Sequence, residues 1–263
     1  MKFIDVPDFL RETGDLVQFC SRTLASFSQI KTYHFSFLSL LVEECYRLGV
    51  QSLPLIIITG TSTGMVLVFE IAYQFQKFGA SNYIGGVVAV ALARELSPVL
   101  AAIVVSGRVG SSITAEIGSM KISEQLDALE ALGIDPYFYL LLPRLVALTI
   151  VLPLLTIFTD LVGFLGGLLV AVYQLHISFR TFYDSILQHL LTNDFLSGLF
   201  KAVFFGFIIA AYSGWRGLKV EGGALGVGHE TTKAVVLAIM TILVSDYLLS
   251  IFWQNAYNIW LSL

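Results

Sequence analysis

Long hydrophobic runs alternate with short polar segments along the whole chain. The run Leu53–Phe69 alone contains 17 residues without a charge. About 20 apolar residues in a helix suffice to cross the hydrocarbon core of a bilayer, and no stretch shows the alternation typical of a transmembrane strand. The pattern predicts an all-α integral membrane protein with five transmembrane helices, at about residues 51–76, 83–108, 145–172, 196–215 and 233–254.

The first 50 residues differ from the rest because apolar and charged residues are interleaved there. Phe9, Leu10 and Leu16 stand among Asp8, Arg11 and similar neighbours. Such a mixture is typical of an amphipathic helix lying along the membrane surface, and a small soluble subdomain is the alternative. We therefore expect an N-terminal interfacial region over 1–50 and a membrane domain over 51–263. At the far end, three aromatic residues fit an interfacial belt: Trp253, Tyr257 and Trp260.

Composition supports the membrane assignment. Hydrophobic residues make up 56% of the chain and charged residues only 13%, whereas a soluble domain has about 25% charged residues. The net charge of −4 is too small to suggest a nucleic-acid partner. Lysine and arginine are distributed unevenly: with the N-terminus inside, ten lie in inner segments and two, Lys77 and Arg180, in outer ones. The positive-inside rule then places the N-terminus in the cytoplasm and the C-terminus outside.

Signals for catalysis are weak throughout. No G-x-x-x-x-G-K-[ST] phosphate loop occurs, and the residues around Ser97, Asp160 and the histidines match no nucleophile motif such as G-x-S-x-G. The glycine-rich stretch Gly222–Gly228 lacks a preceding strand and is interpreted as a flexible turn. Cysteine and histidine have no metal-ligand spacing, at Cys20, Cys45, His34, His176, His189 and His229. We expect neither an enzyme nor a directly bound cofactor or metal.

Several residues within the predicted spans are unusual for a lipid environment. Gly60 and Gly64 form a G-x-x-x-G that favours close helix packing, within the subunit or across a dimer. Arg94 and Glu95 stand near the middle of the second span, and a charge at the bilayer centre costs about 2.5–3.5 kcal/mol on insertion scales. Pro98 follows and is expected to kink or break that span. Further charges occur at Asp160, Lys201 and Asp246.

The segment "EIGSMKISEQLDALEALGIDP", from Glu116 to Pro136, is the most polar interruption. Ser123 is a candidate N-cap and Gly133 a candidate stop, which predicts a helix of about ten residues. An apolar stripe at near-helical spacing consists of Ile122, Leu126, Leu129 and Leu132. A short helix with an apolar stripe and an acidic outer face is predicted. Surface helices that merely touch lipid prefer basic polar faces, so a basic groove of a partner protein is the favoured contact.

This segment, preceded by "LARELSPVLAAIVVSGRVGSSI", resembles the signature of the MlaE family of ABC-transporter permeases, the membrane subunits of Mce/Mla-type lipid transporters with chloroplast relatives. "GGALGVGHETTKAVVLAIMTILVSDYLL" resembles the family's last loop and final helix. The likeness covers about residues 40–253. It implies a homodimeric permease of five-span subunits that transports lipid, most simply phospholipid, and that takes its energy from ATP and magnesium on a separate ATPase subunit.

The resemblance also implies site residues. The short helix between spans two and three is the family's coupling helix, which assigns ATPase contact to Glu124, Gln125, Asp127, Ala128, Leu129 and Glu130. The family's intramembrane charges match Arg94, Glu95, Lys201 and Asp246, and its lipid path at the dimer interface matches Gly60, Gly64 and Val68. Glu70 departs from the family pattern. An Mce-domain substrate-binding protein and a small STAS-type regulator are the further partners implied. The expected membrane is a bacterial inner membrane or, alternatively, a plastid inner envelope.

Alternatives remain open at two points. The intramembrane charges either tie helices together by buried ion pairing or form a coupling network that changes partners during transport. An ion-coupled secondary transporter would also use buried charges, but such proteins usually show paired halves, and this sequence shows no internal repeat. A scaffold that anchors a soluble complex is the third possibility.

Overall fold

The computed structural model describes the backbone of residues 6–262, and the side chains of these residues except 6–11, 29–36 and 260–262. Every regular element in that range is helical, as predicted. The α-helices are α1 Val6–Ala25, α2 Ile30–Gly49, α3 Leu53–Lys77, α4 Ile84–Ala91, α5 Ser97–Val105, α6 Ser111–Ile122, α7 Gln125–Ala131, α8 Leu142–Tyr173, α9 Phe179–His189, α10 Thr192–Leu218 and α11 Gly223–Ser262.

Within the described part of the chain, five helical runs are long and apolar enough to cross a membrane: Phe37–Lys77, Ser81–Ile122, Tyr137–Tyr173, Thr192–Leu218 and Gly223–Ile259. Each predicted span lies inside one of these runs. The N-terminal amphipathic segment is helical as predicted, in α1 and α2. Because helix length alone does not fix where the bilayer ends, the division of the chain at residue 50 stays a prediction. The belt residue Trp260 has its side chain outside the described residues.

Two local expectations differ from the structure. For Pro98 the predicted break is wrong, whereas the alternative, a kink, stays a prediction. Pro98 does not break the second run, which stays helical and contains π-helical turns at Leu92–Leu96 and Ser106–Gly110. Proline is tolerated there because Pro98 lies in the first turn of α5, directly after a π turn in which the Ser97 amide bonds the carbonyl of Leu92. The glycine-rich segment is not a long turn either. The left-handed backbone is confined to Gly222 and Gly223, and α11 begins at once.

The helices form two compact units. The first unit comprises Met1–Val50, Ser106–Leu148 and Phe207–Met240, and its buried residues include Phe37, Phe138 and Leu142. The second unit comprises Gln51–Val105, Thr149–Gly206 and Thr241–Leu263. Its core contains Val68, Ala72, Ile84, Val88, Leu92, Ala171 and Phe182. The predicted coupling helix belongs to the first unit, and the predicted intramembrane charges belong to the second.

Candidate functional site

Helix α7 is a seven-residue helix, shorter than the sequence suggested, in the position predicted for the coupling helix. Its N-cap is Glu124, whose φ of 58° lies in the left-handed region, and no side chain caps the helix. The prediction of Ser123 as N-cap was wrong. Ser123 Oγ donates to the carbonyl of Ser119 at 2.8 Å and so belongs to the end of α6. Gly133 follows α7 with φ 74°, as expected for a helix stop.

The polar residues of α7 are exposed. Glu124, Gln125, Asp127, Ala128 and Glu130 all lie on the solvent-accessible surface of the first unit. Asp127 lies in the first turn of α7, where the helix dipole favours a carboxylate. An exposed face with three carboxylates and no competing base is chemically suited to a surface rich in arginine or lysine.

The apolar side of α7 is only partly used within the unit. Leu126 is 8% exposed and anchors the helix, and Leu129 is half-buried. Ile122 and Leu132, the outer members of the predicted stripe, are 41% and 76% exposed. The helix therefore presents both carboxylates and apolar side chains at its surface, a combination suited to a protein groove.

The second unit brings together the four intramembrane charges named by the sequence. Lys201 is fully buried and forms ion pairs with Glu95 and with Asp246 Oδ1, the latter at 2.9 Å. Arg94 lies beside them, with its Nε 3.9 Å from Glu95 Oε1. One ammonium group thus links carboxylates from the second and fifth spans, which sequence proximity alone could not have indicated.

Pro98 and the π turn supply a further contact of this network. Proline has no N–H, so Pro98 cannot donate the usual helical hydrogen bond to the carbonyl of Arg94, four residues earlier. Lys201 Nζ donates to that carbonyl at 3.1 Å. The helical irregularity thereby provides an acceptor for the buried cation, which is consistent with the frequent occurrence of π turns at functional sites.

Three members of the network were missed by the sequence analysis. Asp194 lies 3.7 Å from Arg94 Nη1 and is 6% exposed, and Gln254 Oε1 accepts from Arg94 Nη2 at 2.5 Å. Ser250 Oγ lies 3.4 Å from both oxygens of Glu95. An acidic residue just before an apolar run was the sequence feature that could have indicated Asp194, because such residues are typical of a helix start. In the structure Asp194 accepts a hydrogen bond from the amide of Leu191 at the start of α10. Ser250 and Gln254 had no such sequence feature.

The G-x-x-x-G faces α8 of the same subunit. Gly60 and Gly64 are buried, and a Cβ on Gly64 would overlap the backbone of Gly163. Val68 is fully buried and packs against Gly167 one turn further on. These three residues therefore pack within the subunit. Their assignment to a lipid path or dimer interface stays a prediction. Glu70 is exposed on α3.

The remaining polar candidates add no catalytic centre. Among the described residues, no group of three or more His, Cys, Asp or Glu side chains could hold a metal ion. Cys20 and Cys45 are half-buried free thiols. Burial raises the pKa of the Cys20 thiol above its ordinary value, which makes it less reactive at neutral pH.

Known proteins share this sequence over most of its length. The family model described as Permease MlaE matches residues 41–252. A probable ABC transporter permease protein of Rickettsia typhi is 44% identical over 214 residues, which cover 81% of this chain and 83% of the relative. A probable ABC transporter permease protein of Synechocystis is 42% identical over 209 residues, 80% of each chain.

A chloroplast protein is also similar. The Arabidopsis thaliana protein TRIGALACTOSYLDIACYLGLYCEROL 1, chloroplastic, is 40% identical over 216 residues, which cover 82% of this chain and 62% of the relative. The region that the family model matches contains α7 and the four intramembrane charges Arg94, Glu95, Lys201 and Asp246. The chain therefore belongs to the MlaE permease family, and it is an integral membrane permease subunit of an ABC transporter, which works with a separate ATPase subunit.

Proposed function

We propose that the chain is the permease of a lipid transporter, which moves lipid, most simply phospholipid, between its membrane and an Mce-domain partner. The observation that carries this proposal is the likeness, over 82% of the chain, to a relative whose name refers to trigalactosyldiacylglycerol, a lipid. An exposed apolar surface in the membrane is what such a substrate requires, because acyl chains are recognised by apolar contact rather than by hydrogen bonds.

The most exposed spans support a homodimer with a shared lipid path. The spans differ in how much of their most apolar 18-residue stretch is buried. In the fifth span 11% of that stretch is buried and in the first span 28%, whereas in each of the other three spans 44–50% is buried. These two helices therefore present the largest apolar surfaces for a second subunit or for lipid. The proposed path follows α3 at Gly60, Gly64 and Val68, whose close packing on α8 holds this helix in place. The exposed side chains of α3 would supply its apolar surface, and they include Ile58, Val66 and Phe69.

Helix α7 is proposed as the site where the ATPase docks. Glu124, Gln125, Asp127, Ala128, Leu129 and Glu130 would contact it, with the exposed carboxylates facing basic residues of the groove. On the orientation given by the positive charges, α7 lies in the cytoplasm, where ATP is available. A bacterial inner membrane is the proposed location, and the chloroplast relative keeps the plastid inner envelope as the alternative. A STAS-type regulator is a further proposed partner.

Mass spectrometry of the complex purified through this chain would test the proposal. We expect a nucleotide-binding ATPase, an Mce-domain protein and co-extracted phospholipid. Because the chain belongs to an ABC permease family, the ion-coupled secondary transporter is no longer a candidate, and the preparation distinguishes a lipid permease from a scaffold. Recovery with soluble partners but no lipid would indicate a scaffold.

A further inference from the structure

A closed ring of four charged side chains lies in the first unit, outside the sites described above. Arg144 donates from Nε to Glu44 Oε1 at 3.1 Å and from Nη2 to Glu116 Oε1 at 2.6 Å. Arg47 donates from Nη1 to Glu116 Oε2 at 2.9 Å and forks onto Glu44 at 2.9–3.1 Å. Each carboxylate therefore receives both guanidinium groups, and the ring is neutral. We refer to these four residues as the guanidinium ring.

The guanidinium ring joins three segments that are far apart in the sequence. Glu44 and Arg47 belong to α2, Glu116 belongs to α6 before the coupling helix, and Arg144 belongs to α8 after it. Glu116 and Arg144 are separated by 28 residues, and their pair closes the base of the hairpin that has α7 at its tip. The other contacts fasten this base to the N-terminal helix α2.

Burial is deepest at the pair of Arg144 and Glu44 and makes the ring sensitive to the position of these two charges, whereas Arg47 and Glu116 are each 35% exposed. The side chain of Arg144 is 5% exposed and that of Glu44 is 15% exposed. A charge-assisted fork between guanidinium and carboxylate fixes direction as well as distance, because the two planar groups share parallel hydrogen bonds. A buried charge that loses its partner is strongly destabilising. The ring therefore resists shear between α2 and the base of the hairpin.

Apolar packing beside the ring joins the same segments. Phe37 of α2 packs against Phe138 with ring centroids 6.0 Å apart, and both belong to the core cluster that contains Leu142. Polar contacts extend the attachment toward α1, where Ser26 Oγ lies 3.4 Å from Asp135 Oδ2. Apolar contacts alone would allow sliding, whereas the ionic ring defines a single register.

We propose that the guanidinium ring is the mechanical mount of the coupling helix: it makes the hairpin and α2 move as one body when the ATPase displaces α7. Arg144 is its central positioning residue, because it alone bonds both α2 and α6 from the far side of the hairpin. This inference rests on the proposed function, since it assumes that α7 receives the ATPase. It adds that displacement is transmitted to the N-terminal helix through these four side chains.

Charge exchange within the ring gives a matched test. The pair Glu44→Arg with Arg47→Glu keeps the contact inside α2 but sets Arg against Arg144 and Glu against Glu116. The pair Glu116→Arg with Arg144→Glu does the same from the hairpin side. Combining all four substitutions restores every opposite-charge contact. The measurement is lipid moved per ATP hydrolysed by the complete complex in proteoliposomes, with ATPase co-purification recorded for each variant.

We expect each two-residue exchange to lower lipid moved per ATP by about tenfold while the ATPase still co-purifies, and the four-residue exchange to restore it to within about twofold. Normal coupling in both two-residue variants would overturn the proposal that the guanidinium ring makes the hairpin and α2 move as one body. An equal loss in all three variants would also overturn it, because the pairing would then not matter. If an exchange variant fails to fold, Glu116→Gln is measured instead, because it removes one charge and keeps the shape of the side chain. We expect it to lower lipid moved per ATP as well, and normal coupling in this variant would overturn the proposal. A wild-type complex that moves no lipid would refute the proposed function rather than the ring.

Discussion

Replacement of Lys201 by methionine would remove the cation that holds two carboxylates together in the second unit. Methionine keeps much of the apolar stem, so the main change is the loss of charge. At 2.9 Å and an effective dielectric constant of about 20, the attraction between Lys201 and Asp246 is about 6 kcal/mol. Desolvation of the fully buried ammonium offsets most of that attraction in the intact protein.

The loss of stability in Lys201→Met arises from the two carboxylates that remain without a cation. Glu95 and Asp246 would lie near each other without the ammonium between them, and breaking a buried ion pair from one side costs about 3–5 kcal/mol. The Glu95 side chain is 41% exposed, so solvent can compensate in part, and we expect about 3 kcal/mol. For a chain of this size that corresponds to a fall in melting temperature of roughly 6–12 °C.

Thermal unfolding of the purified subunit measures this fall. Lys233→Met is the matched control, because Lys233 pairs with Glu230 at 2.8 Å but is 42% exposed, and its loss should cost less than about 1 kcal/mol. Asp246→Asn in the Lys201→Met background should cost less than the sum of the two single changes by about 1–3 kcal/mol. A Lys201→Met protein that melts together with the Lys233→Met control would refute the ion-pair account.

Three further outcomes follow from the geometry. Gly64→Val should lower the melting temperature by several degrees, at a cost of about 1–3 kcal/mol, because its side chain would overlap the Gly163 backbone. The control Gly14→Ala has open space around it and should be neutral or stabilising. Glu124→Gly should be more stable to unfolding than Glu124→Ala by about 1 kcal/mol, because only glycine adopts φ 58° freely, yet both should weaken ATPase co-purification equally. Arg94→Ala should lower lipid transport while the proposed dimer survives on size-exclusion chromatography. Its ion pairs are long, at 3.7 and 3.9 Å, and its hydrogen bond to Gln254 lies within the subunit, so we expect a cost of only about 1–3 kcal/mol. Unchanged transport would leave the charge network a purely structural role.

The helical architecture could be predicted because a bilayer leaves few choices. Backbone polar groups in lipid must be satisfied within the segment, so long apolar runs predict spanning helices almost directly. The four intramembrane charges were identifiable for the same reason, since their cost in lipid makes each one conspicuous. Their partners Ser250 and Gln254 were not identifiable, because an uncharged polar residue in a spanning helix carries no comparable penalty.

Contacts between distant segments were beyond the reach of the sequence. Glu44 and Arg144 are 100 residues apart, and Glu116 was one acid among several in the polar segment. Ser123 was misassigned because a serine between two helices can serve either one, and the choice depends on backbone angles. The sequence also does not show which helix packs against Gly60 and Gly64, because small residues permit close approach without specifying the partner helix.

The docking of an ATPase at α7 is the central claim, and charge reversal on its exposed face tests it most directly. Asp127→Lys leaves Leu126 in place as the apolar anchor, so α7 should still fold, while the reversed charge would repel a basic groove. The measurement is ATP-driven lipid transport by the reconstituted complex, with bound ATPase quantified in the same preparation. We expect ATPase recovery and transport to fall together, by about tenfold or more. Full ATPase recovery with normal transport would contradict the account.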